Sequence, residues 1–147
     1  MLTSAFLLFP FRLATASTPP NEREVILRQL GIDLPADVRN VHAFEMSLMA
    51  YNLWASFEVS DSEVDALFKS SDRLPTWLEL KPSSPVTEEM FGDVVKEVPS
   101  WWSLANKTQA IAAERLTTKG KVPISTRMCA INLGDGFWRI YIKYNED

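Results

Sequence analysis

Alternation of apolar and polar positions marks a strand in the middle of the chain. Between Tyr51 and Val59 every odd position is apolar, whereas the even positions are mixed. A period of two residues is typical of an antiparallel strand that packs one face on a core. The preceding segment, from about Val41 to Leu48, predicts a second strand. A single helix from Phe44 to Phe57 is the alternative, because Leu, Met and Ala favour helices.

The last stretch, Arg127 to Tyr144, contains two β-rich runs that flank Gly134-Asp-Gly136. This pattern predicts a C-terminal β-hairpin with a two-residue type I′ turn at its tip. Ile131 then lies opposite Ile140, and the apolar residues of both strands share one face. A three-residue loop would place Ile131 opposite Arg139 instead.

Two helices are predicted, near residues 22–30 and 61–70. Asn21 is a suitable N-cap for the first helix, and Gly31 is placed to end it. The second helix begins with Ser60-Asp-Ser-Glu63, a capping-box pattern in which the serine side chain binds a backbone N–H. Its apolar positions then recur at helical spacing.

Further helical turns are predicted at Thr87–Phe91 and within Asn106–Leu116. Together these elements predict an α+β fold. We expect an antiparallel sheet of about four strands, with two or more helices packed on one of its faces.

Residues 1–16 differ from the rest of the chain. An apolar run, Ala5–Phe11, precedes the small-x-small pattern Ala14-Thr-Ala16. This resembles a secretory signal peptide that lacks its basic n-region, and the run is too short to span a bilayer. Cleavage would leave residues 17–147 as a single domain, secreted or in the cell envelope (periplasm). The alternative is an N-terminal strand or disordered tail of a cytoplasmic protein.

Composition and charge narrow the classes of function. A chain of 147 residues is expected to form one domain. A net charge of −4 without a basic patch argues against a nucleic-acid partner. One histidine and one cysteine exclude a multi-histidine metal site and an internal disulfide. No phosphate-binding or metal-binding motif is present, so we expect no cofactor.

A resemblance extends over roughly residues 34–144. Leu34-Pro-Ala-Asp-Val-Arg-Asn-Val41 precedes the central strand, and Trp101-Trp102 and the predicted hairpin follow it. The arrangement resembles small uncharacterised bacterial proteins, often exported, in which a Leu-Pro-x-x-x-x-Asn-Val segment stands before a central strand. The group has no established activity, so the resemblance implies a fold but no functional residue.

His42 and Cys129 are the residues that an enzyme would use first. A small hydrolase or transferase would pair His42 with a nearby carboxylate and a nucleophile. Cys129 falls inside a predicted strand, on its apolar face, where thiols are usually inert. The acidic Ser60–Asp65 segment lacks the length and the central glycine of an EF-hand, which favours a helix cap. We therefore expect structural roles for His42, Cys129 and the Ser60–Asp65 segment.

The tryptophans offer the best indication of a binding site. Trp77, Trp101 and Trp102 fall in predicted loops beside Pro75 and Pro99. Loop tryptophans can line a groove for a sugar, lipid or peptide, or they can cover the open side of a sheet. The leading hypothesis is a non-enzymatic module that binds a protein partner or a small-molecule ligand. The alternative is a hydrolase or transferase that uses His42.

Overall fold

A computed structural model describes residues 21–47, 49–74, 81–82, 99–102 and 110–147. Its elements, in chain order, are α1 (Glu22–Leu30), β1 (Arg39–Ser47), β2 (Tyr51–Ser60), α2 (Asp61–Lys69), β3 (Lys81–Pro82), β4 (Ala110–Lys119), β5 (Val122–Asn132) and β6 (Phe137–Glu146). The predicted α+β class with an antiparallel sheet is confirmed. The predicted signal peptide, the turn at Thr87–Phe91 and Trp77 lie outside the described residues.

The described strands form one sheet in the order β1-β2-β6-β5-β4-β3, and all neighbours are antiparallel. About four strands were expected, and six are described, of which β3 has only two residues. The alternative helix over residues 44–57 is wrong, because this segment contributes β1 and β2. Strand β6 lies between β2 and β5, in the interior of the sheet.

The register of β5 against β6 differs from the predicted one by one residue. Ile131 pairs with Arg139, and Ala130 pairs with Ile140. The Leu133 N–H donates to the Phe137 carbonyl oxygen at 3.0 Å, which closes a loop of three residues. The predicted two-residue turn is therefore wrong.

Local hydrogen bonds favour the longer loop. The side chain of Asn132 accepts from the N–H of Gly134 at 2.8 Å, and Asp135 accepts from the N–H of Phe137 at 3.1 Å. Asn and Asp side chains commonly bond to backbone two residues ahead in turns. Gly134 and Gly136 have φ angles of 79° and 84°, which glycine adopts without steric cost.

Residues 110–119 form β4, so the helical turns predicted within Asn106–Leu116 are wrong for residues 110–116. Residues 106–109 lie outside the described residues. This strand pairs with β5 from Ala110 opposite Ile131 to Lys119 opposite Val122. A long ladder of backbone hydrogen bonds to β5 outweighs the modest helix preference of its Ala, Leu, Glu and Arg residues. A turn at Gly120 connects β4 to β5.

The two helices begin in different ways. Asn21 caps α1, because its side-chain oxygen accepts from the Arg23 N–H at 2.7 Å. Gly31 ends α1 in the left-handed conformation. Ser60 occupies the N-cap position of α2, but its side chain makes no cap hydrogen bond. The side-chain cap predicted for Ser60 is therefore wrong, although α2 begins where it was predicted to begin.

This difference predicts unequal effects of two alanine substitutions. Asn21→Ala should lower the free energy of unfolding by about 1 kcal/mol, because it removes a side-chain cap. Ser60→Ala should cost less than about 0.5 kcal/mol, the usual size of an effect at a site that loses no such feature. Urea unfolding of both variants measures the two values. A larger loss for Ser60→Ala would contradict the assignment.

Among the residues that the structure describes, the buried ones form two clusters, one on each face of the sheet. We call the odd positions of β2 the first face and the even positions Trp54, Ser56 and Glu58 the second face. The larger cluster contains residues of α1, α2 and the first face: Val25, Ile26, Leu30, Leu53, Phe57, Val64, Phe68, Met128, Ile140 and Ile142, among others. The smaller cluster is Trp54, Trp102, Cys129 and Tyr141, with Phe44, Met46, Trp101 and Ile131 packed against it.

The register of β5 decides which of its residues belong to each cluster. Cys129 was expected on the same face as Ile140 and Ile142. It instead pairs with Tyr141 and belongs to the smaller cluster, so its predicted face is wrong. Met128 takes the place opposite Ile142. Neither helix that the structure describes is long and apolar enough to cross a membrane.

Candidate functional site

A polar cleft of about 200 Å³ opens on the second face. The described residues that line it are Asn40, His42, Ser56, Trp101, Arg139 and Tyr141. They come from β1, β2, β6 and the short segment 99–102. Because side chains alternate along a strand, residues far apart in the sequence meet on this face.

Strand pairing positions most of the cleft. His42 lies opposite Ser56 on β2, and Ser56 in turn lies opposite Tyr141 on β6. The ladder of β1 and β2 is irregular between Arg39 and His42. Within that irregularity Asn40 has a φ angle of 49°, a left-handed conformation that asparagine tolerates better than most residues. Because of this irregularity Arg39 and His42, three residues apart, both lie opposite second-face residues of β2. Asn40, between them, also lines the cleft.

A tight turn brings two tryptophans to the second face. The Trp102 N–H donates to the Pro99 carbonyl oxygen at 2.9 Å. Trp101 is partly exposed and stacks on His42, with ring centroids 5.1 Å apart and planes 13° apart. Trp102 is only 2% exposed and meets Tyr141 edge to face at 5.4 Å. Of the predicted binding residues, Trp101 thus lines the cleft, whereas Trp102 lies in the smaller cluster.

Beside the cleft, the buried carboxylate of Glu58 forms ion pairs with two arginines. Arg139 donates to Glu58 Oε1 from Nη2 at 2.6 Å and from Nε at 3.2 Å. Arg39 Nε lies 3.1 Å from Glu58 Oε2. The Glu58 side chain is 4% exposed, against 40% for Arg39 and 36% for Arg139. The guanidinium of Arg139 is therefore fixed in place at the wall of the cleft.

The ionisation states follow from these contacts. Burial alone raises the pKa of Glu58, but hydrogen bonds from Arg139 and Asn40 and the charges of both arginines outweigh it. The net pKa of Glu58 is lowered, so it remains a carboxylate at neutral pH. The hydrogen bond to Glu58 raises the pKa of Arg139, which keeps its charge. Burial raises the pKa of Tyr141, which remains a neutral hydroxyl.

Cys129 lies beside the aromatic residues but does not suit a nucleophile. It is fully buried, and burial raises its pKa to about 12. The thiolate, which is the reactive form, is therefore scarce at neutral pH.

Cys129 should consequently resist thiol reagents in the native protein. It is the one cysteine of the chain, so labelling reports on this site alone. We expect slow reaction with a chromogenic disulfide reagent at neutral pH, and rapid reaction after the protein is unfolded in urea. Fast labelling of the native protein would contradict the burial of β5 at this position.

The described residues hold no group of three or more His, Cys, Asp or Glu side chains that could bind a metal ion. The described lining instead offers aromatic rings and polar groups, several of which both donate and accept hydrogen bonds. Every residue that the structure places in its lining has an N–H or O–H donor, and none of them has a carboxylate.

Most of the residues that line this cleft were not predicted from the sequence. Only Trp101 and His42 were singled out as candidates, whereas Asn40, Ser56, Arg139 and Tyr141 were not. The signal that existed was the polar face of β6, on which Arg139 and Tyr141 alternate with apolar residues. Which strands lie beside β6, and so which side chains adjoin Arg139 and Tyr141, depends on the strand order of the sheet. The alternation of residues within a single strand does not predict that order.

In comparisons with known proteins, no family model matches the chain, and no curated protein or solved structure matches it. The fold and the cleft therefore define it only by class: an α+β protein with a central antiparallel sheet and a donor-lined polar cleft on one face.

Proposed function

We propose that the protein is a non-enzymatic module that binds a small ligand in the cleft of the second face. The observation that carries this proposal is the stacked pair of Trp101 and His42 beside the anchored guanidinium of Arg139. Ligand sites in proteins commonly combine an aromatic wall with a few well-placed polar groups. Here the polar groups are held by strand pairing, so little order is lost when a ligand binds.

The experiment is a thermal-shift screen of a small-molecule library against the wild-type protein and Trp101→Ala. A ligand of the cleft should raise the melting temperature of the wild type but not that of the variant. Leu116→Ala is a suitable control, because Leu116 is exposed on β4 and does not line the cleft. If every stabilising compound acted equally on Trp101→Ala, the cleft would not be the binding site.

The second candidate is a hydrolase or transferase that uses His42. It is favoured by the position of Ser56, a hydroxyl directly across the ladder from His42. The nearby carboxylate, Glu58, is held by two arginines and is poorly suited to orient an imidazole. A fluorophosphonate probe distinguishes the two functions. Labelling of Ser56 that disappears in His42→Ala would favour the enzyme, and absence of labelling would favour the binding module.

We further propose that the module acts outside the cytoplasm, secreted or in the cell envelope. The support is the apolar run and the Ala14-Thr-Ala16 pattern, which resemble a signal peptide with its cleavage site. The protein isolated from its native host should begin near Ser17. N-terminal sequencing measures this, and an intact segment 1–16 would contradict export by cleavage.

A further inference from the structure

We infer that the ligand of this cleft is a small aromatic carboxylate, an inference that rests on the proposed binding function. Three observations support it independently: the balance of charge beside the cleft, the donors that line it, and its size and aromatic wall. Each of them concerns the second face and the short segment 99–102.

The balance of charge favours an anion. Among the described residues, two guanidiniums, Arg39 and Arg139, share the buried carboxylate of Glu58, which compensates one of their two positive charges. Asp135 also pairs with Arg39 at 3.0 Å, but both side chains are about half exposed, at 52% and 40%. Water screens such an exposed pair strongly, so Asp135 compensates the charge of Arg39 only weakly. Arg139 lines the cleft and Glu58 does not, which directs positive potential into the cleft.

The lining favours a group that only accepts hydrogen bonds. Arg139 offers donors alone, although its Nε and Nη2 already donate to Glu58. Ser56 and Tyr141 each add an O–H, which can donate as well as accept. A carboxylate has two oxygens that accept about four hydrogen bonds, and it is the planar partner that a guanidinium binds best. Since no described residue of the lining has a carboxylate, nothing placed there repels such a group.

The volume and the aromatic wall favour a ring. The cleft measures about 200 Å³, and a protein cavity of about 150 Å³ is enough for one benzene ring. A ring with one carboxylate therefore fits. Trp101 and His42 provide aromatic surface on the wall, and such surfaces attract another ring in stacked or edge-to-face geometry.

The test compares benzoate with benzamide, which have nearly the same shape and differ in charge. Isothermal titration of the full chain should give a dissociation constant for benzoate roughly tenfold or more below that for benzamide, because hydrogen bonds to a charged group are the stronger kind. Trp101→Ala should lose both ligands.

The double variant Arg139→Met with Glu58→Gln removes the ion pair without leaving a buried charge, and it should lose the preference for benzoate. The matched control is Arg127→Met with Glu114→Gln. These two residues form an ion pair of 3.1 Å between β5 and β4, and neither of them lines the cleft. This control should keep the preference.

Each outcome decides a different point. Equal binding of benzoate and benzamide would overturn the anion preference and leave the binding function intact. Failure of both probes at millimolar concentration would overturn the inference as a whole. The library screen then separates the two proposals, since a neutral compound whose effect requires Trp101 would preserve the binding function. If the control variant of Arg127 and Glu114 also lost the preference for benzoate, the preference would not depend on the cleft, and the inference would be overturned.

Discussion

Replacing Trp102 with alanine should lower the free energy of unfolding by about 3–5 kcal/mol, the usual loss for a buried aromatic residue. Trp102 is 2% exposed and is held edge to face against Tyr141. It belongs to the smaller cluster together with Trp54 and Cys129, so truncation would leave a cavity above the second face. Urea unfolding followed by circular dichroism measures the loss.

The adjacent residue provides the control. Trp101 is partly exposed and contacts His42, so Trp101→Ala should cost no more than roughly 1–2 kcal/mol. Trp102→Ala would then mainly lower stability, whereas Trp101→Ala would mainly impair ligand binding. If Trp102→Ala were tolerated and Trp101→Ala were not, the assignment of Trp102 to a core would be wrong.

The second large effect is expected at the buried carboxylate. Arg139→Leu leaves Glu58 with Arg39 and Asn40, and we expect a loss of about 2–3 kcal/mol, because a buried charge loses its closest charged partner. Adding Glu58→Gln to Arg139→Leu should restore part of this loss, since the carboxylate that lacks its partner is then neutral. A double variant less stable than the single one would contradict this account. Chemical unfolding at neutral pH gives all three values.

The same carboxylate predicts a dependence on pH. The folded-state pKa of Glu58 lies below its ordinary value of 4.5. Its contribution to stability is therefore present above that ordinary value and is lost as the pH falls through the folded-state pKa. The difference in stability between the wild type and Glu58→Gln should shrink in that acidic range. A difference that stayed constant from neutral pH down to pH values below 4.5 would contradict the proposed state of Glu58.

Local signals predicted the helices well. The cap at Asn21 and the left-handed Gly31 act within one turn of the helix, so the sequence around α1 contains everything that sets its ends. The odd-even alternation of β2 likewise depends on a single strand. Ser60 shows the limit of such patterns, because its side chain lies near Ser62 instead of binding the helix backbone.

Register and β4 could not be predicted in the same way. Gly134-Asp-Gly136 is compatible with loops of two and of three residues. The apolar pattern of β5 did not decide between the two loop lengths, because β5 is apolar on both faces, with Ala130 on one and Cys129 on the other. Strand β4 has helix-favouring residues, and only its pairing with β5 explains its conformation.

The cleft required knowledge of the whole sheet. His42 and Arg139 are separated by two thirds of the chain, and they meet because β6 inserts beside β2. The proline-flanked loops made Trp101 a candidate, but the same argument applied equally to Trp102. Which of the two indoles is covered depends on tertiary contacts with Tyr141 and Trp54 that no local pattern encodes.

The position of β6 also has a consequence for biosynthesis. This strand joins β1 and β2 on one side to β5, β4 and β3 on the other. While a nascent chain still lacks residues 137–146, β2 and β5 each present an edge with unpaired backbone groups, and such edges invite pairing with other chains. The native sheet, and the cleft that needs Arg139 and Tyr141, can therefore assemble only after this strand has left the ribosome.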